Sequence, residues 1–387
     1  MTRAISARAV RGLALAFGAA LAADQLVQHT LLRGANAFGE RIAPYDPPLF
    51  TPEQEAARER IREAVHGGAP LAGFAFDAQL GWCVPADGGR GEFRFDWAGA
   101  RIADEPLAHA KTPGRRRIVL VGDSFTLGDE VGARESWPAQ LGVARPDFEL
   151  ANLGMNAYGL DQSLLRLERD GFALEPDEVW MGFVPSTLLR VVTMYVPAWR
   201  HVSPMLACKP RFRLNTDGEL GECERACDTL AGFLALLDDP AALARACRAD
   251  HWIERASAAY APRGSDWTHH FASTRLVLTR YEQSARDPEA CYADPATEPV
   301  ALVRAIARRA ARECRDRGLR FRLLLLPSRD DLRTEHDWSA LFEGVDVFDA
   351  GAALREAGAL AQERYWAARG HYSAEGNRVV ALALAAR

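Results

Sequence analysis

The stretch "RIVLVGDSFTLGDEV", residues 117–131, decides the fold because an apolar run ends abruptly in polar residues. Residues 118–121 are apolar and rich in β-branched side chains, which is typical of a strand buried on both faces of a sheet. Gly122, Asp123 and Ser124 then stop the strand and favour the start of a helix. Ligands of open α/β sheets bind at this carboxyl edge. Ser124 is therefore predicted to be either a nucleophile or a helix cap.

The same strand-then-helix pattern recurs along the chain. Alternating strands and helices imply parallel strands joined by right-handed crossovers. We therefore predict an α/β fold in three layers, α/β/α, with a central, mostly parallel sheet of flavodoxin-like type. Predicted strands cover 117–122, 147–153, 178–184, 321–326 and 345–348, and predicted helices lie near 137–142, from Asp161 to about Arg169, over 300–317, from about Ala350 to Glu363, and from Ala374 after the cap Ser373.

A long polar segment interrupts the alternation. Between Ser186 and about Pro299 the chain is polar, aromatic and cysteine-bearing, and no further buried parallel strand is predicted there. This pattern indicates a large insertion in the core. The predicted organisation is an export segment at 1–33, an N-terminal extension packed on the core at 34–115, the first half of the core at 116–188, the cysteine-bearing insertion at 189–299, and the second half of the core at 300–387.

The N-terminus has the character of an export signal. Three arginines precede the apolar run "GLALAFGAALAA" at 12–23, and small residues at 20–22 suit a cleavage site. Because apolar character resumes further on, an uncleaved membrane tether through residues 11–32 is the open alternative, although an apolar run this short falls below the roughly 20 residues that span a bilayer. In either case we expect the protein to be exported, either periplasmic or anchored with its bulk facing the periplasm or outside.

Composition excludes several classes of function. The net charge is −5 over 387 residues, and no basic stripe is present, so a nucleic-acid partner is not expected. No glycine-rich phosphate loop follows the first strand, which disfavours a nucleotide-binding or response-regulator module of flavodoxin type. No cofactor is predicted.

The seven cysteines favour an oxidising compartment. We expect disulfides among them, with at least one thiol left over because the total is odd. Zinc is the rival interpretation, but no matching pair of ligands follows Cys223 and Cys227 at zinc-ligand spacing, so no metal site is predicted. Five cysteines lie in the insertion and two outside it: Cys208, Cys223, Cys227, Cys247 and Cys291, with Cys83 and Cys314.

Three motifs together resemble the SGNH, or GDSL, hydrolase family, and more narrowly its exported bacterial members with an N-terminal apolar segment. They are "GDSFTLG" at 122–128, "ANLGMNAYGLDQ" at 151–162 and "GHYSAEGNRVVALAL" at 370–384. The resemblance covers roughly 70–188 and 300–387 and leaves out the insertion. It implies the SGNH version of the three-layer fold and a serine hydrolase.

The resemblance also implies roles for individual residues. A serine hydroxyl needs an adjacent base and donors for the oxyanion that forms during attack. Ser124 would be the nucleophile, and His371, just before the last helix, would be its base. The backbone N–H groups of Ser124 and Gly154 would form the oxyanion hole.

This sequence departs from the family pattern at two places. Ser186 stands where the family has an asparagine that completes the oxyanion hole, and a serine hydroxyl could donate one hydrogen bond there. Ala368 and Arg369 stand where the family has the aspartate that orients the histidine. Arg369 cannot accept a hydrogen bond from an imidazole.

Three repairs of the missing aspartate remain open: a Ser–His dyad that uses a backbone carbonyl, a carboxylate from elsewhere such as Asp349 or Glu363, or loss of catalysis. Asp129 and Glu130 are interpreted as favouring the helix start electrostatically. A polar group in the insertion could also line a site: Asp266, Trp267, His269 and His270.

Three functions follow from these observations. The first is an exported serine esterase or deacylase acting on an ester-bearing small molecule. The second is an acyltransferase or deacylase that modifies an acylated cell-surface polysaccharide. The third is a catalytically silent binding protein that keeps the scaffold, since a fold does not guarantee its usual activity.

Overall fold

The computed structural model describes residues 7–27, 29, 36–37, 40–41, 50, 52–67, 74–90, 93–200, 203–254, 271–274, 277, 291–292, 294, 296–334 and 336–387. Asp266, Trp267, His269 and His270 lie outside these residues.

Five parallel strands form the central sheet, as the alternating pattern predicted. Neighbouring strands are hydrogen-bonded in the order β2-β1-β3-β4-β5, and every pairing is parallel. This is the flavodoxin-like strand order. The strands are β1 (Arg116–Val121), β2 (Phe148–Asn152), β3 (Glu178–Phe183), β4 (Arg320–Leu325) and β5 (Val347–Asp349).

Helices cover both faces of the sheet, which gives the predicted three layers. Strand β1 has apolar side chains on both faces of the sheet, and both faces must therefore be covered. Ile118 and Leu120 face one hydrophobic cluster, while Val119 and Val121 face another. Helices α2, α5 and α6 pack on the first face, and α3 and α4 on the second. The core helices are α1 (Ser124–Leu127), α2 (Trp137–Ala144), α3 (Leu160–Arg166), α4 (Glu298–Asp316), α5 (Gly351–Glu356) and α6 (Ala374–Ala385).

Two helix boundaries differ from the prediction for local reasons. The helix predicted to reach Glu363 ends at Glu356, because Gly358 adopts a left-handed φ of +75° two residues later. Helix α3 is capped by Gly159, whose N–H is accepted by the side chain of Gln162. Asp161, the predicted start of that helix, is buried inside it.

Short elements surround the core. The extension before β1 holds a helix, Pro52–Gly67, that the sequence analysis did not predict, and hairpins such as Ala75–Asp77 with Gly81–Cys83. The remaining described elements are the strands Asn36–Ala37, Glu40–Arg41, Gly89–Arg90 and Phe93–Arg94; the helices Ala7–Leu26 and Arg329–Arg333; the 3-10 helices Ala133–Glu135, Phe172–Leu174, Pro185–Val192, Trp338–Phe342 and Glu363–Tyr365; and the π-helix Leu167–Gly171.

The insertion is attached to the core by buried polar contacts. Lys209 pairs with Asp161 of α3, and both side chains are almost completely buried. Within the insertion itself, Asp250 accepts hydrogen bonds from the backbone N–H groups of Met194 and Tyr195. The described part of the insertion holds the hairpin Arg211–Leu214 with Leu220–Glu224 and the helices Val196–Trp199, Leu230–Asp238, Pro240–Ala246 and His251–Glu254.

The predicted disulfides are absent, since no S–S bond joins the cysteines in the part of the chain that the structure describes. The closest approach involves Cys208 and Cys247, whose Sγ atoms lie 3.8 Å apart, beyond the bond length of about 2.05 Å. Among the described residues no group of three or more metal-ligating side chains could hold a metal ion. Within the same residues, no helix has both the length and the apolar character needed to cross a membrane.

The two lysines of the chain offer a matched test of how the insertion is held. We expect Lys209→Met to lower the free energy of unfolding by about 3–5 kcal/mol, because it leaves Asp161 buried without its counter-ion. Lys111→Met breaks a half-exposed pair with Asp177 and should cost about 1 kcal/mol or less. Urea unfolding measures both variants, and equal losses would contradict the role given to Lys209.

Candidate active site

Ser124 lies in the first turn of α1, directly after β1. Asp123 caps this helix by accepting the N–H of Phe125 through Oδ1, so the cap is not Ser124. The helix ends after one turn at Gly128, which has a left-handed φ of +82°. Ser124 is 6% exposed, and its backbone N–H has no acceptor among the residues that the structure describes.

His371 approaches Ser124 from the loop before α6. Its Nε2 lies 2.8 Å from Ser124 Oγ. Phe125 packs against the imidazole with ring centroids 5.0 Å apart, and the Ser373 side chain caps α6 two residues further on, as predicted. Two residues separated by 247 positions in sequence are thus within hydrogen-bond distance.

The other ring nitrogen of His371 is bonded to Glu130. Glu130 Oε2 lies 2.6 Å from Nδ1, and Oε1 accepts the backbone N–H of Arg369 at 2.7 Å. An ionised carboxylate only accepts hydrogen bonds, so this contact places a proton on Nδ1 and leaves Nε2 to accept from Ser124. The carboxylate on His371 that was sought from the sequence is therefore Glu130, six residues after Ser124.

The surroundings of Glu130 keep it ionised. Burial raises the pKa of Glu130, but hydrogen bonds from the His371 ring and from the backbone N–H groups of Arg369 and His371 outweigh burial, so this pKa lies below its usual value. The Arg369 guanidinium adds ion pairs to Asp129 at 3.3 Å and to Glu130 at 3.4 Å. From the sequence, Arg369 was expected to be unsuited to orienting His371. In the structure it instead offsets the negative charges of Asp129 and Glu130.

Glu130 occupies an unusual backbone conformation. Its φ is +66°, a value that side-chain-bearing residues seldom adopt. The buried Arg101 holds the surrounding turn by donating to the carbonyl groups of Leu127, Gly128 and Val131. These contacts fix the chain on both sides of Glu130 and direct its carboxylate to His371.

Asp349 and Glu363, the carboxylates proposed from the sequence, do not contact His371. Asp349 lies at the end of β5 and accepts the N–H of Gly351 at the start of α5. Glu363 is largely exposed and pairs with Arg329. Both predictions are wrong, because Glu130 already occupies the ring nitrogen that either would need.

The predicted oxyanion donor Gly154 has a different role. Its N–H donates to Asn152 Oδ1 at 3.0 Å. A Cβ atom at Gly154 would lie 2.5 Å from the backbone nitrogen of Leu127, so glycine is needed there because the loop after β2 touches α1. The hydrogen bond to Asn152 leaves this N–H unavailable to a ligand in the observed conformation.

Ser186 likewise does not have the expected role of oxyanion donor. Its Oγ lies 3.1 Å from Asp331 Oδ2 and 3.2 Å from Ser328 Oγ. Burial raises the pKa of Asp331, and hydrogen bonds from Ser328 and Ser186 counteract this rise. The hydroxyl therefore belongs to a cluster at the end of β4.

Ala157 offers a backbone donor that the sequence analysis missed. It adopts a left-handed φ of +63°, and its N–H has no acceptor among the described residues. The loop that carries Ala157 lies against the turn that carries Ser124, since the N–H of Met155 donates to the Gly122 carbonyl at 3.0 Å. Asn156 Nδ2 also donates to Asp129 Oδ2 at 2.9 Å.

Comparisons with known proteins give similarity in structure alone. No family model matches the sequence, and no curated protein is significantly similar to it. The chain is similar to a lipolytic G-D-S-L family protein from Desulfitobacterium hafniense, with 14% identity, a TM-score of 0.34, and coverage of 70% of this chain and 99% of that one.

Two further solved structures are similar to a comparable degree. One is a member of the lipolytic protein G-D-S-L family from Veillonella parvula, with 11% identity, a TM-score of 0.26, and coverage of 69% of this chain and 94% of that one. The other is a catalytic mutant of an acetylxylan esterase from Geobacillus stearothermophilus, with 11% identity, a TM-score of 0.35, and coverage of 71% and 94%. Similarity this low transfers neither activity nor residue roles to this chain.

The lowered pKa of Glu130 predicts a pH-dependent contribution to stability. A carboxyl whose folded pKa lies below its unfolded value of about 4.3 stabilises the fold above that value, and the contribution is lost as the pH falls through the folded pKa. We therefore expect Glu130→Gln to lower the free energy of unfolding near neutral pH, and the deficit to shrink below about pH 4. Denaturant unfolding from pH 3 to 7, with Glu363→Gln as control, measures this, and a deficit independent of pH would contradict it.

Proposed function

We propose that this protein is an exported serine hydrolase of the SGNH type that cleaves carboxylic esters. The observation that carries the proposal is the continuous chain of hydrogen bonds from Ser124 Oγ through His371 to Glu130. A weakly acidic hydroxyl, a base and an acceptor that orients the base are the requirements of nucleophilic ester cleavage. The N-terminal basic and apolar segment supports export.

The residues have complementary roles in the proposed reaction. Ser124 Oγ attacks the ester carbonyl carbon while His371 Nε2 takes the hydroxyl proton, and Glu130 stabilises the resulting imidazolium. When the tetrahedral intermediate collapses, His371 returns this proton to the departing alcohol, which leaves an acyl group on Ser124. Water, deprotonated by His371, then attacks the acyl group. When this second intermediate collapses, His371 returns the proton to Ser124 Oγ, which releases the acid and the free serine.

The oxyanion formed in both steps requires hydrogen-bond donors. We assign this role to the backbone N–H groups of Ser124 and Ala157, both of which lack acceptors among the described residues. Loss of one such donor typically costs about 3–4 kcal/mol of transition-state stabilisation. This assignment replaces Gly154 and Ser186, whose donors are used elsewhere.

The geometry weakens the case for a silent binding protein. That interpretation depended on two missing polar groups, the family asparagine and aspartate. Glu130 supplies a carboxylate on the correct nitrogen of His371, so one of the two grounds for it is removed. Transfer of the acyl group to a polysaccharide would share the same acyl-enzyme and differ only in the final acceptor.

A fluorophosphonate probe tests whether Ser124 is nucleophilic. We expect the wild-type protein to be labelled and Ser124→Ala to be unlabelled, with turnover of p-nitrophenyl acetate reduced at least about 10³-fold. Ser186→Ala should retain labelling, because its hydroxyl lies in another cluster. Absence of both labelling and turnover in the wild type, with the fold intact by circular dichroism, would overturn the proposed function.

Substitution of the proposed acid tests its pairing with His371. Glu130→Gln places an amide that can donate to Nδ1, which favours the wrong tautomer, so we expect kcat to fall about 10⁴-fold. Asp349→Asn and Glu363→Gln should each retain kcat within about threefold. Steady-state ester hydrolysis measures all three variants. A larger loss of kcat in either control than in Glu130→Gln would contradict the assignment of Glu130.

A further inference from the structure

Arg190 lies beside the nucleophile, and the proposed reaction does not use it. It belongs to the 3-10 helix Pro185–Val192, which follows β3 at the carboxyl edge of the sheet. Its Nη1 donates to Asp123 Oδ2 at 3.0 Å and to the Tyr158 carbonyl at 2.9 Å. Asp123 precedes Ser124, and Tyr158 follows Ala157. The guanidinium therefore bridges the two loops that carry the proposed oxyanion donors.

The Nε–Nη2 edge of this guanidinium has no hydrogen-bond acceptor in the part of the chain that the structure describes. Nε is buried and has no acceptor, and neither N–H of Nη2 has an acceptor among the described residues. The Arg190 side chain is only 13% exposed. A buried donor without an acceptor is unfavourable, so such a group in a folded protein requires an explanation.

The geometry of the Nε–Nη2 edge of Arg190 is suited to binding a carboxylate. The Nε and Nη2 N–H groups of a guanidinium point in the same direction, and they match the two oxygens of a carboxylate in a bidentate pair. The edge that Asp123 and Tyr158 occupy is the Nη1 side. Arg190 thus has one side committed to the protein and a two-donor side left for a ligand.

The charges near Arg190 also favour an anion. Asp123 offsets the charge of Arg190, and the nearby Asp161 is itself paired with Lys209. Arg200 adds a second cation, since both guanidinium groups lie close to the Trp199 ring, at 5.9 Å and 5.4 Å from its centroid. Arg200 has no carboxylate partner among the described residues. Coulombic attraction to an incoming anion is therefore not cancelled locally.

We propose that the Nε–Nη2 edge of Arg190 binds a carboxylate carried by the substrate close to the scissile ester, which makes this protein selective for anionic esters. The inference rests on the proposed function, because it places the ester carbonyl between Ser124 and Ala157. Arg190 then determines specificity rather than taking part in bond breaking. The carboxylate could belong to the acyl group or to the alcohol.

Two pairs of esters distinguish these sources. The p-nitrophenyl half-ester of glutaric acid against p-nitrophenyl pentanoate places the carboxylate in the acyl group. Acetoxybenzoate against acetoxybenzamide, both substituted at position 4, places it in the alcohol. We expect the wild type to prefer the anionic member of at least one pair in kcat/KM by about 10- to 100-fold. No preference in either pair would overturn the proposal.

Arg190→Lys is the informative variant because it keeps the charge beside Asp123 but lacks the two-donor edge. We expect it to lower kcat/KM for the anionic ester at least tenfold more than kcat/KM for the neutral ester. An equal loss for both esters would mean that Arg190 only supports the nucleophile turn through Asp123, and would overturn the proposal. Arg312→Lys, at an exposed arginine of α4 that pairs with Glu219, is the control and should change the preference by less than threefold.

Binding without turnover separates this inference from the proposed function. Calorimetry with Ser124→Ala and each of the two anionic esters should show binding of at least one of them that Ser124→Ala/Arg190→Lys weakens at least tenfold. If the wild type cleaves no ester but this difference persists, the proposed function fails and the Arg190 site stands. If esters are cleaved but the two variants bind the anionic ester equally, the site fails and the hydrolase stands.

Discussion

The hydrogen bond between Glu130 and Nδ1 of His371 is the constraint on which the rest of the site depends. It fixes the tautomer of the imidazole, and therefore whether Nε2 can accept a proton from Ser124. The bond requires Glu130 to hold a left-handed backbone conformation, which is normally unfavourable for glutamate. Arg101 stabilises this conformation through three carbonyl groups of the same turn. A residue outside the proposed triad thus helps to set the orientation of the His371 imidazole.

Sheet topology explains why the parts of the site meet. The strand order reverses at β1, so the loops after β1, β2 and β3 converge at one edge of the sheet. Ser124, Ala157 and Arg190 each come from one of these loops. His371 arrives from the opposite end of the chain because α6 packs against α2, and Asn377 of α6 accepts the N–H of Trp137. The packing of α6 against α2 therefore brings His371 to the site.

Much of the fold could be predicted from the sequence, but only part of the site. The strands were predictable because their apolar runs are continuous, and Ser373 was recognisable as a cap. Glu130 was not, because its role depends on a left-handed turn and on a partner 241 positions away. Arg369 was the residue that could have pointed to Glu130, since an arginine next to the proposed base His371 implies a nearby carboxylate. The absence of disulfides among the described cysteines shows that cysteine content alone does not establish pairing.

The proposed nucleophile and acid, Ser124 and Glu130, lie on one short segment, and Arg101 donates hydrogen bonds to three carbonyl groups in or next to it. Small distortions of the sheet would carry both groups together, and their separation would hardly change. The imidazole is the one member delivered by a separate part of the chain. Alignment of the proposed triad therefore depends on how the C-terminal loop that carries His371 packs against this segment.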